Sequence, residues 1–146
     1  MGFRSYLAKR GIMSSDVEVM VRALFGKAQA APIAMTIGAV ITVDALIAGL
    51  ITGEHSEAGT VTYTLPTGTL MDAALTIFIN DNDSFDFTII NLSAAVLDTI
   101  TLVAGVGFTI VGQALIESAH INSEFPSSGT FRVRKTAANT FVAYRL

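Results

Sequence analysis

The chain has 146 residues, a net charge of -3, no cysteine, 51% hydrophobic and only 14% charged residues, against a usual charged share of about 25%. That length suits one domain with an ordinary core, and the lack of cysteine excludes disulfides, thiolate nucleophiles and thiolate metal sites. A mean hydropathy of +0.58 demands a place to hide apolar surface, either a membrane or a subunit interface.

Charge is segregated along the chain. Residues 1–35 hold Arg4, Lys9, Arg10, Arg22 and Lys27 against Asp16 and Glu18. From Thr36 to Phe131 there are ten acids and no Lys or Arg, and from Arg132 onward four bases and no acid. This predicts a basic N-terminal arm over 1–35 that docks on acidic surface, and an acidic body over 36–146 balanced by its own last strands.

In chain order, Met1 to Met13 lacks the apolar run of a secretory signal. Ser14, Ser15 and Asp16 offer an N-cap for an amphipathic helix with Val17, Met20, Val21, Leu24 and Phe25 on one face, ended near Gly26. A helix of about ten residues is marginal alone and needs a surface to pack on. Residues 28–51 are nearly uncharged, yet Pro32, Gly38, Asp44 and Gly49 argue against a membrane span. They read instead as a buried strand over 39–43 and a short helix or turn over 44–49, capped by Thr42.

Val61, Tyr63 and Leu65 alternate with threonines, a strand stopped by Pro66. A helix follows, capped by Thr67 or Thr69, with Leu70, Ala73, Ala74 and Ile77 as the apolar side. Residues 84–111 carry three period-2 runs, around Phe85 to Ile89, Thr99 to Leu102 and Phe108 to Ile110, read as successive strands of an antiparallel β core. Residues 113–121 have no clear pattern. The end is a hairpin, Phe131 to Arg134 and Phe141 to Leu146, with its turn at 136–139 and the last strand tied into the sheet.

Candidate chemistry is sparse. Asp81 and Asp83 suggest calcium, but an EF-hand loop starting at Asp81 would need Gly and Glu where Asp86 and Leu92 stand, so a turn held by Asx side chains is the reading. His55 and His120 sit beside no nucleophile motif, and the glycines at 105, 107 and 112 read as strand turns. No enzyme activity, cofactor or metal is expected. The arm could stack nucleic acid on Phe3 and Tyr6, but the acidic body disfavours that, and a protein partner is expected.

Three pieces, TVTYTLPTGTLMDAAL, DSFDFTIINLSAAVLDTITLVAGVGFTIVG and SGTFRVRKTAANTFVAYRL, in that order resemble small capsid decoration, or cement, proteins of tailed bacteriophages over about residues 40–146. The resemblance implies a mainly β domain, a β-sandwich or barrel-like body with one or two short helices. It also implies a homotrimer on the outer face of the head that bridges major capsid protein subunits, hence a location on the virion surface. The arm residues Phe3, Arg4, Tyr6, Lys9, Arg10 and Arg22 would then contact the capsid. Two other classes are weighed beside it: a carbohydrate- or receptor-binding module, which would want exposed aromatic platforms, and a membrane-associated virion protein using residues 28–51.

Overall fold

The computed structural model describes residues 29–54, 59–75, 80–120 and 126–146. The helix expected from Ser14 to Gly26 lies outside them. The elements are β1 (Ile33–Met35), β2 (Ala39–Val40), α1 (Val43–Ala48), β3 (Leu50–Gly53), β4 (Thr60–Thr64), α2 (Gly68–Leu75), β5 (Ser84–Asn91), β6 (Thr99–Val103), β7 (Phe108–Val111), β8 (Leu115–Ile116), β9 (Ser128–Ala137) and β10 (Thr140–Arg145). The molecule is mainly β.

One sheet has the order β1-β3-β5-β9-β10-β7 and the other β2-β4-β6-β8, so neither closes into a barrel. From β1 to β6 the chain alternates between them, and each strand lies parallel to the previous strand of its own sheet. Parallel neighbours need a long crossover. Here each crossover is a strand of the opposite sheet together with α1 or α2.

The expected antiparallel core is therefore corrected to mixed sheets. The strands β5, β6 and β7 exist where the alternation places them, but none pairs with another of the three. Antiparallel pairing joins β5 to β9, β9 to β10 and β6 to β8, while β7 lies parallel to β10.

Local chemistry explains both helices. Thr42 sits in extended conformation (φ -73°, ψ 155°) and its Oγ1 accepts from the Ala45 amide at 3.2 Å, the expected cap, a contact that typically contributes about 1 kcal/mol. Gly49 ends α1 at φ 83°, its amide donating to Leu46 O at 3.1 Å, a left-handed cap that costs glycine little. At α2, Thr67 Oγ1 accepts from the Leu70 amide at 3.2 Å. The buried face of α2 is Gly68, Met71 and Leu75, whereas Leu70, Ala73 and Ala74 are exposed, so the predicted face is corrected; Ile77 lies outside the described residues. The reason is close approach: a Cβ at residue 68 would stand 2.0 Å from Asn139 O, so the glycine row lies against the β9–β10 turn.

Side chains of both sheets share one core, including Ile51, Phe87, Ile89, Phe131, Val133 and Phe141 from the first and Tyr63, Ile100, Leu102 and Ile116 from the second. Tyr63 spans between the sheets and donates its hydroxyl to Met35 O at 3.0 Å. Gly53 leaves the space for it, since a Cβ there would lie 2.6 Å from the Tyr63 oxygen. Burial pushes the Tyr63 phenol above its ordinary pKa. Phe87 stacks on Phe131 and Phe108 on Phe141, with centroids 5.4 and 5.2 Å apart. The expected buried strand over 39–43 is corrected too: β2 is short and exposed, with Ile41 buried just past it.

Candidate functional site

The six arm residues singled out for partner binding, Phe3, Arg4, Tyr6, Lys9, Arg10 and Arg22, all lie outside the described residues, as does His55. His120 is half-buried in the stretch after β8. Among the described residues no three His, Cys, Asp or Glu side chains gather in a way that could hold a metal ion. The turn reading of 80–83 holds: Asp83 Oδ2 accepts from the Asn80 amide at 2.8 Å, the Asp83 amide donates to Asn80 O at 3.0 Å, and Asn82 takes φ 77°.

The balancing of acids by the last strands is visible in atoms. Arg132 of β9 grips Asp86 of β5 with Nε and Nη2, both at 2.8 Å, and this pair is solvent-exposed. Arg134 donates to Asn82 Oδ1. Lys135 Nζ lies 2.7 Å from Asp72 Oδ1 in a largely covered position, and Asp72 Oδ2 accepts from the Asn139 amide at 2.5 Å. Lys135 first, then that amide, hold the Asp72 carboxyl below its usual range against the opposing effect of desolvation. Arg145 stacks its guanidinium 5.0 Å from the Phe131 ring centroid and donates from Nη2 to Ser128 O at 2.9 Å. Burial lowers its pKa. These contacts tie β9, β10 and their turn to β5, to the turn before it and to α2.

A polar knot unforeseen in the sequence lies after β5. Asn91 and Asp98 are buried. Asn91 Nδ2 donates to Asp98 O at 2.9 Å and its Oδ1 accepts from the Ser93 amide at 3.1 Å. Asp98 Oδ2 accepts from Ser93 Oγ at 2.6 Å and Oδ1 from the Gly59 amide at 2.7 Å. Several donors on one carboxylate offset the cost of burying it. The knot holds up a loop that turns Leu92, Val96 and Leu97 outward, with Leu97 78% exposed at φ 78°. The spacing of Asn91, Ser93 and Asp98 was the available signal, but its meaning depends on Gly59, thirty-nine residues before Asp98.

The surface carries other bare apolar side chains: Ile33, Ile37 (61% exposed) and Val40 (60%) along β1 and β2, Ile47 on α1, Leu70 on α2 and Val106 (83%) on the β6–β7 turn. No described helix is long and apolar enough to cross a membrane, and residues 33–53 divide into β1, β2, α1 and β3. Comparison with protein-family models, with curated proteins and with solved structures found no match.

Proposed function

We propose that the chain is a structural virion protein, a capsid decoration or cement protein that binds the outer surface of a bacteriophage head and bridges major capsid protein subunits. In this reading the two sheets form a sandwich that associates as a homo-oligomer, most simply a trimer, and the arm residues Phe3, Arg4, Tyr6, Lys9, Arg10 and Arg22 grip the capsid. It acts without catalysis or cofactor, on the virion surface. The observation that carries the reading is the apolar excess left outside the core, set on short edges and on a loop fixed by buried hydrogen bonds, a surface better suited to packing against protein than to chemistry.

A glycan-binding module would want exposed aromatic platforms; among the described residues Tyr63, Phe87, Phe108, Phe131 and Phe141 are in the core and Phe85 and Tyr144 are half-buried. The test is stoichiometry on purified particles. Copies matching a shell lattice support the proposal, and absence from intact heads overturns it. Neutralising Arg4, Lys9, Arg10 and Arg22 in the full chain weakens binding to empty shells, with a marked salt dependence in the parent.

A further inference from the structure

Four strands stand outermost in the two sheets among the described residues, β1 and β7 in one and β2 and β8 in the other. Three of them are blunted. β2 and β8 have two residues each, with Glu117 directly after β8, and β1 has three and follows Pro32. Short length, charge and proline are the usual means of keeping an edge from pairing with another chain. β7 is the longest of the four, and the chain from Thr99 to Ile116 holds no charged residue and no proline.

The register shows which groups are open. The Phe141 amide donates to Gly107 O at 2.9 Å and β7 runs parallel to β10, so Gly107, Thr109 and Val111 turn their backbone groups toward β10, while Phe108 and Ile110 turn theirs to the other side. Gly105 O takes the Phe108 amide at 2.9 Å. The Phe108 carbonyl and both backbone groups of Ile110 then face a side on which no strand lies among the described residues. Exposed apolar side chains bracket this edge, Val106 (83%) before it and Val111 (47%) at its end.

Open donors and acceptors along a strand take another strand, and symmetry and charge favour a second copy. About a two-fold axis at Ile110 the edge is complementary to itself: each Ile110 amide meets the other Ile110 carbonyl, and Thr109 lies opposite Val111. The chain carries a net charge of -3, and like charges set opposite one another oppose pairing, so two copies meet best along a stretch that carries none. We infer that β7 pairs antiparallel with β7 of a second copy, joining the two six-stranded sheets into one that runs through both. Alone this contact gives a dimer, and combined with the three-fold association proposed above it gives a pair of trimers. The inference does not rest on the decoration reading, and its test needs only the purified full-length chain.

The chain is cysteine-free, so introduced thiols report cleanly. Thr109 and Val111 are exposed. In the paired strands their Cα atoms stand about 4.5 Å apart, within disulfide range, whereas each stands about 8 Å from its own counterpart, outside that range. Under mild oxidation, a mixture of Thr109→Cys and Val111→Cys proteins is expected to form disulfide-linked pairs at least about tenfold faster than either variant alone. Equal rates, or no linked pairs, overturn the inference. Sedimentation gives a second readout. Thr109→Lys with Val111→Lys sets like charges opposite each other on both sides of the axis and is expected to halve the sedimenting mass, while Thr109→Lys with Val111→Asp sets unlike charges opposite and restores it. A mass unchanged in the first protein, or not restored in the second, overturns the pairing.

Discussion

Two regions of the molecule, the β9–β10 hairpin and the pair of edge strands β1 and β2, are built differently. Around β9 and β10 the strands are long and antiparallel, two phenylalanine stacks fill the core, and Asp72, Lys135 and Asn139 tie α2 to the hairpin. At β1 and β2 the strands have three and two residues, and Ile33 and Val40 are exposed while Met35 packs against the core. Core packing holds the first flank regardless of any partner. The second keeps edges short, which limits unwanted strand pairing, and leaves apolar side chains exposed.

Cutting into the strong flank gives the largest effect. Phe131 is fully buried, stacked on Phe87 and covered by Arg145, so Phe131→Ala is expected to cost about 3–5 kcal/mol in urea unfolding. A cost near zero would put the hairpin outside the cooperative core. Gly68→Ala comes next: its Cβ meets the Asn139 carbonyl, and overpacking of this kind costs about 1–3 kcal/mol.

Asp72 sharpens the comparison through pH. Its folded pKa is depressed, so its contribution is present above the unfolded value, about 4, and is lost as pH falls from there through the folded value. The stability gap between parent and Asp72→Asn should be constant near neutrality and close in acid; a gap that persists at pH 2 would mean the ion pair is not its source. Smallest of all, Arg132→Ala should leave the unfolding midpoint unchanged, because an exposed pair contributes little. Ala34→Ser on exposed β1 should shift stability by no more than about 0.5 kcal/mol. A large loss there would erase the contrast between the flanks.

Legibility in the sequence followed the range of the interaction. Thr42 and Gly49 around α1, Thr67 before α2, the Asn80–Asp83 turn and the final hairpin were readable because each is decided by residues a few positions apart. Sheet membership was not. The alternation in β5, β6 and β7 specifies a half-buried strand but not its neighbour, and here successive strands go to opposite sheets. β1 and β3 were missed inside a uniformly apolar stretch that has no period to read. The face of α2 was misassigned because glycine at 68, not the larger Leu70, meets the hairpin turn. As for the candidate site, the charge pattern pointed to an arm, while the exposed loop at Leu97 depends on a hydrogen bond from distant Gly59.

The position of β10 between β9 and β7 bears on how the protein is made. Among the described residues β7 has no other strand partner in its sheet, and β10 is translated about thirty residues later, a delay of roughly 2–6 s at ordinary elongation rates. Through that interval the nascent chain holds Phe108 without Phe141 and β5 without β9. The six-stranded sheet can be completed only once the polypeptide through Arg145 has left the ribosome, and until then Phe87 and Ile89, buried in the finished fold, lack the strand that covers them.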